Sequence, residues 1–477
     1  MCLTKIVVTI GPAIQKTTTL VSLIKAGASV FRFNLKHNTH RWHSDCIKKV
    51  KEASKISGQP VATLLDLQGP EIRVGKLPEE GIIFKKGDEA FFVKENSSAS
   101  LIKSIPASET LFSERIPKNK KISIDEGKLE FKILSRRKDV IYTRVLKGGV
   151  VKSQKSINIP GMKTSLPALL SKDIRDLSLA AKHEVDFVAL SFVRNKKDIE
   201  LLKKKTKKLS LSAKILAKIE TKQALNNFEE ILDACDGIMV ARGDLGVEIP
   251  FEQVPYYQKK MIKRCAEVGK PVITATQMLE SMIYSSLPTR AEVSDVANAV
   301  LDYTDAVMLS KETAIGKYPL ETVSVMEKVC RFWEKKRKPV NGFNFELTHQ
   351  TAAACYSAFN LWVSPFCQKE NVKAFVVATK TGMTARMISR LRPNLPILAL
   401  VEDKGVRDQL CLSCGVVPIL FKGGGSYKKR SSSDIGKILS YIKKEGYVKS
   451  KEKVIALYGE EWGTPGKTSI IRIQEIP

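Results

Sequence analysis

The residues best placed to do chemistry are Lys218 and Glu220, two apart in AKIE, and Asp244, inside ARGDLG. On a strand, Lys218 and Glu220 share a face, because side chains alternate. Glu220 and Asp244 then form an acidic pair beside an ammonium group. Hard oxygen ligands, few in number, suit magnesium, which keeps water and substrate oxygens in its other positions. Gly243 and Gly246 flank Asp244 and let the backbone approach an anion closely. Arg32 and Asn34 (RFN), Asp66 (LLD) and Thr276 (TATQ) end apolar runs of the same kind. One such residue alone reads as an ion pair. Polar groups at five run ends read as one shared site.

The runs themselves predict the frame that must position these groups. Short β-branched segments recur at 5–10, 30–35, 62–67, 187–192, 214–220, 237–240, 271–276 and 306–309, with helical stretches between them. Eight parallel strands wrapped by helices close into a barrel, whose chemistry sits on the loops after the strands. Between the third and fourth runs lies an interval too long for a barrel loop. It carries turn signals such as KGD at 86–88 and DEG at 125–127, and alternating runs such as IYTRVL at 141–146. It reads as an inserted all-β domain able to close over a ligand. After Trp333 the segment EKKRKPVNG reads as a linker. Beyond it, helices alternate with apolar runs at 374–379, 397–401, 416–420, 453–458 and 469–473. The fold class is α/β: a (β/α)8 TIM barrel (1–69 and 168–338), an inserted β-barrel lid (70–167) and a C-terminal open α/β domain (339–477).

The length, 477 residues, calls for several domains. The chain has no run of eighteen uncharged apolar residues, so no membrane span is expected. Its amino terminus enters a strand-like segment without a signal-peptide core, and the expected location is the cytoplasm. Nine cysteines, odd in number and scattered, fit reduced thiols. Cys411 and Cys414, the one close pair, read as neighbours one helical turn apart; zinc or redox use would need a second pair. The net charge of +29 raises nucleic-acid binding as a reading. No aromatic residue interleaves with Lys203, Lys204, Lys205, Lys207 and Lys208, so they read as a solvated helix face. A positive field also attracts anionic substrates.

Several long segments resemble the pyruvate kinase family. They are TKIVVTIGPA (4–13), DLQGPEIR (66–73), MVARGDLGVEIP (239–250), ITATQMLESM (273–282) and PTRAEVSDVANAV (288–300). The likeness runs from Thr4 to the carboxyl end and is weakest in the inserted segment. It implies transfer of the phosphoryl group of phosphoenolpyruvate to ADP, giving ATP and pyruvate, and assembly as a homotetramer. It implies that Glu220 and Asp244 hold magnesium or manganese, and that Lys218 and Arg32 face the moving phosphoryl group. Thr276 would position the enolate or the water chain that protonates it, and the amides of Gly243 and Asp244 would receive the carboxylate. Asn34, His37, Arg73 and Lys172 match nucleotide-contacting positions. The run His37, His40, His43 imitates a metal site, yet by this likeness His37 belongs to the nucleotide pocket. Two rival readings remain: another barrel enzyme acting on phosphoenolpyruvate or pyruvate, and a basic, catalytically idle RNA-binding or scaffold protein.

The sequence also departs from the family pattern. Of the usual potassium ligands, Asn34, Asp66 and Leu67 are in place, but Lys36 stands where the family has serine. Leu67, Gln68 and Val74 depart from the potassium-requiring pattern, while Glu71 stands where a lysine usually accompanies that trio. The expectation is that the Lys36 ammonium takes the potassium position, paired with Asp66 or Glu71, so that potassium is not required. Lys311 replaces a family glycine after the eighth run, and the sequence offers no account of it. In the third domain, VATKTGMT at 377–384 follows a strand and opens a helix. It reads as a phosphate cradle or as a plain helix cap. By the resemblance, Thr379, Lys380, Thr381, Gly382 and Thr384 hold a phosphorylated effector, with Trp462 on the opposite wall and Lys467 near a second phosphate. Fructose bisphosphates, ribose 5-phosphate and AMP are the candidates.

Overall fold

The computed structural model describes residues 2–95, 103–113, 116, 120–125, 127–162, 164–338, 340, 342–421, 435–459 and 467–477. Each of the eight expected runs forms a strand: β1 (Lys5–Thr9), β2 (Ala28–Asn34), β3 (Ala62–Asp66), β4 (Phe187–Leu190), β5 (Lys214–Ile219), β6 (Gly237–Ala241), β7 (Val272–Ala275) and β8 (Ala306–Leu309). They pair in parallel, in sequence order, and β8 closes on β1. Because each strand is covered on both faces, it reads as a continuous apolar run.

Alternation builds the barrel interior in layers. Val7, Val30, Leu64 and Leu216 pack at the base with Phe187. Two residues further along their strands stand Thr9, Arg32, Asp66 and Lys218, one pleat higher. The interior therefore changes from apolar to charged toward the carboxyl ends. The other face of each strand packs on the helices, with Val8, Phe31, Phe33 and Leu65 in that outer core.

The insertion after β3 is a seven-stranded sheet running from Ile72–Arg73 to Ser104–Ala107, joined by a two-stranded ribbon of Ile82–Phe84 and Gly149–Val151. A bridge between Val74 and Ala107 brings its two edges together. Phe84, Phe92 and Phe131 meet edge to face in its own core. The third domain is a five-stranded sheet of β9 (Val372–Ala378), β10 (Ile397–Val401), β11 (Val416–Leu420), β12 (Lys453–Tyr458) and β13 (Ile470–Glu475). Its order is β11-β10-β9-β12-β13, and only β13 runs antiparallel.

This domain caps the base of the barrel. A single 3-10 turn, Leu410–Leu412, sets Cys411 and Leu412 into the apolar layer beneath Val7 and Val30. Arg392 Nη2 meets Asp305 Oδ2 at 2.6 Å, and Lys5 Nζ donates to Val416 O at 2.7 Å. Cys411 and Cys414 are thus not one turn apart on an α-helix. Apolar burial at a domain contact accounts for both, and all nine cysteines are free. No helix among the described residues is long and apolar enough to cross a membrane.

Candidate active site

Asp66 is the centre of the barrel mouth. Its Oδ2 accepts from Arg32 Nε at 2.8 Å and lies 2.6 Å from Arg32 Nη2. Its Oδ1 lies 3.3 Å from Lys218 Nζ. Lys218 Nζ also lies 2.9 Å from Glu220 Oε1 and donates to Ser191 Oγ at 2.8 Å. Burial pushes the Asp66 carboxyl up, but Lys218 and Arg32 outweigh it and hold the group at about 2. Burial works against a charged Lys218, but Asp66 and Glu220 outweigh it and hold the ammonium above the ordinary lysine range. Lys218 is therefore charged at neutral pH, and the shared carboxylate fixes both cations in place. Ser191, just past β4 and buried, was not read from the sequence as a site residue. Its hydroxyl lies between Lys218, Asp66 and Leu67 O. A polar residue ending a barrel strand was the available signal.

The acidic pair lies one step further. Glu220 Oε2 accepts from Phe192 N at 2.6 Å, while Oε1 faces Lys218 without hydrogen-bond alignment. Burial, then the neighbouring Glu220, pushes the Asp244 carboxyl up to about 7. A half-buried carboxylate repelled by a second, fully buried one whose Oε1 accepts no hydrogen bond fits a divalent cation. Among the described residues no third His, Cys, Asp or Glu joins them. Two carboxylates, with water and substrate oxygens completing the set, suit magnesium.

Loop seven is held under strain. Thr276 has φ 69° and Gln277 φ 54°. The left-handed region is costly for a β-branched residue, and such outliers gather at functional sites. Arg242, which opens the helix Arg242–Glu248 after β6, holds the loop in place. Its guanidinium donates to Thr276 O at 2.6 Å and to Asp295 at 2.7 Å. Gly243 N donates to Thr276 Oγ1 at 2.9 Å. The Gly243 amide expected to face a substrate carboxylate is thus already engaged.

A cavity of about 470 Å³ opens between this mouth and the lid, whose Gln154, Lys155 and Ser156 line its roof. Arg32, Asn34, Arg73, Lys218, Asp244 and Thr276 all line it, with His37 among them. Burial, then Arg73, Lys36 and Arg32, lowers the His37 pKa and keeps the ring neutral. Lys172 departs from expectation. Its Nζ donates to Leu35 O at 2.6 Å and to Asp176 at 2.7 Å, behind the β2 loop rather than in the cavity. The other two histidines also separate: His40 meets Asp176, and His43 Nε2 donates to His37 O.

Lys36 turns inward. Its Nζ lies 3.1 Å from Glu71 Oε2 and 5.4 Å from the centre of the Phe192 ring. Arg73 shares Glu71 at 2.8 Å. Burial raises the Glu71 carboxyl, but Lys36 and Arg73 together hold it below the ordinary glutamate range. The partner is Glu71 and not Asp66, which Arg32 and Lys218 already occupy. Asn34 Oδ1 accepts from Lys36 N, and Leu67 O accepts from Ser191 Oγ.

In the third domain the loop after β9 leads into the helix Met383–Ser389, with Gly382 at φ 76°. Lys380 and Thr381 are exposed, and Arg386 Nη1 folds back on Thr381 O. Thr379 and Thr384 are buried, and the Thr384 hydroxyl meets Thr468 Oγ1 at 3.1 Å, so it does not face outward. Trp462 lies outside the described residues.

Fixed cations beside a divalent-metal pair, under a lid, supply the positioning and charge neutralisation that phosphoryl transfer needs. Fold and site together define a barrel phosphotransferase. Residues 1–323 match the family model "Pyruvate kinase, barrel domain", and residues 363–474 match "Pyruvate kinase, alpha/beta domain". The chain belongs to the pyruvate kinase family. It is 40% identical over 480 residues to pyruvate kinase 2 of Synechocystis sp., covering 99% of this chain and 79% of that protein. It is 36% identical to the pyruvate kinase of Thermococcus litoralis, covering 99% and 98%. A solved pyruvate kinase from Cryptosporidium parvum superposes with a TM-score of 0.88 at 35% identity, covering all of this chain and 96% of that one. Membership sets aside both the idle scaffold and the other barrel enzymes.

Proposed function

We propose that the family reaction, transfer of the phosphoryl group of phosphoenolpyruvate to ADP, runs on the floor of this cavity. The P–O bond to the enol oxygen breaks, and a new one forms to the terminal oxygen of ADP. The enolate then takes a proton at its methylene carbon and becomes pyruvate. Lys218 and Arg32 neutralise the moving phosphoryl group. Thr276, held on its strained loop, positions the enolate or the water that protonates it. The Asp244 amide and the Gly243–Thr276 pair face the carboxylate. Glu220 and Asp244 would hold magnesium or manganese, which when bound supplies positive charge to substrate oxygens. The observation that carries the reading is Asp66, which fixes both cations at one point of the mouth. A lactate-dehydrogenase-coupled assay with phosphoenolpyruvate, ADP and magnesium tests it. No turnover in a folded sample rejects it.

Within the same reading, Lys36 supplies the monovalent charge. What supports this is the inward ammonium on Glu71, and the prior engagement of Asn34, Asp66 and Leu67. A tethered cation carries the same charge as potassium and needs no binding step. With tetramethylammonium as the only monovalent cation, activity should be close to that in potassium. A rise of about tenfold or more on adding potassium removes the idea. A phosphorylated effector at Lys380 and Thr381, joined by Arg386, and a homotetrameric assembly belong to the reading too. Their test is activation by sugar phosphates and AMP alongside sedimentation.

A further inference from the structure

We infer that Lys311 is a substrate-binding residue that grips the phosphates of the nucleotide at the rim of the cavity, whatever its base. The strands β8, β1 and β2 are neighbours, so the loops after them form one continuous arc of the mouth. Lys311, Gly11, Pro12 and His37 line the cavity along this arc. The base of Lys311 is rigid. It opens the short helix Lys311–Ala314, whose Glu312 is buried and accepts from Ser310 N at 2.7 Å and Leu279 N at 3.3 Å. Thr313 ties the same turn to β1 through Thr9 N and Thr9 O. The side chain itself is 47% exposed, and its Nζ lies 4.0 Å from Glu280 Oε1, at the outer edge of ion pairing. A half-exposed pair of that length is weak.

Position decides which substrate it meets. Lys218 and Arg32 are 5% and 8% exposed, on the floor, and they account for the small three-carbon substrate. The cavity is larger than that substrate needs. A nucleotide must put its terminal phosphate on the floor and extend outward past the rim. There an ammonium acts as a point charge on phosphate oxygens and takes no notice of the base. Glu280 competes for the same ammonium.

The inference rests on the reaction proposed above, so the wild-type assay comes first: absent turnover sinks that reading and not this one. Given turnover, Lys311→Ala should raise KM for ADP and for GDP by the same factor, roughly 3- to 10-fold. KM for phosphoenolpyruvate should stay within about twofold, as should kcat. Glu280→Gln should lower KM for ADP by removing a carboxylate that competes with the phosphates. Lys311→Arg, which keeps the charge, should stay near wild type. Thermal melts of the variants check that they are folded. Lys311→Ala with unchanged KM for both nucleotides overturns the inference, and so does an equal rise in KM for phosphoenolpyruvate.

Discussion

At the scale of single residues, the site is an electrostatic balance around Asp66. One carboxylate holds both Arg32 and Lys218, and together with Glu220 it keeps the deeply buried Lys218 ammonium charged. Substituting Lys218 by Met removes a positive charge from the moving phosphoryl group and leaves Asp66 still paired to Arg32. Turnover should fall by ~100-fold or more, since one lost donor to developing charge costs that much. The barrel should remain folded by circular dichroism. Near-normal turnover in the Met variant would reject the role.

At the scale of elements, the mouth depends on loops packed too closely for extra atoms. Gly11 has extended backbone, yet a Cβ there would stand 2.2 Å from Ala314 O. That oxygen belongs to the main chain of the helix bearing Lys311, so it cannot swing aside. Gly11→Ala should destabilise the protein by about 1–3 kcal/mol, as overpacking does. It should also displace the rim and raise KM for ADP. Gly58, with open space around its α-carbon, is the contrast: its constraint is a left-handed φ of 70° alone. Urea denaturation measures the first effect, and unchanged stability in Gly11→Ala would contradict the packing. The lid is tied to the barrel by Gly161 N on Glu248 at 3.3 Å, by Arg194 Nη1 on Leu166 O at 2.8 Å and by the Lys36–Glu71 pair.

At the scale of the whole molecule, the third domain closes the end of the barrel opposite the chemistry. Asp186, just before β4, accepts from Thr63 N and Thr63 Oγ1. Burial, then Asp408 from the third domain, raises its pKa from the ordinary 3.8 to about 7. Between those values the folded protein keeps a proton that the unfolded chain has lost. Stability from this group is complete below the lower value and is lost as pH rises through the upper one. Asp186→Asn, which mimics the neutral acid, should therefore gain on wild type in melting temperature from pH 5 to pH 7. The gain should level off above pH 7. A gap that does not change with pH would refute this account.

The local pattern of residues was enough to locate the eight barrel strands and to set Lys218 and Glu220 on one face. Strand period and apolar runs act over a few neighbours and survive without knowledge of the fold. The same alternation lifted Arg32, Asp66 and Lys218 into one charged layer. What the pattern could not carry was the pairing between distant segments. Lys172 was matched to a nucleotide-contacting position, and nothing in its own segment announced its bond to Leu35 O. The Gly243 amide looked available until Thr276 reached it. Ser191 became part of the site, and Cys411 part of the barrel base, only through neighbours far along the chain. Such contacts depend on how a closed barrel brings loop ends together, and closure is a property of the whole chain.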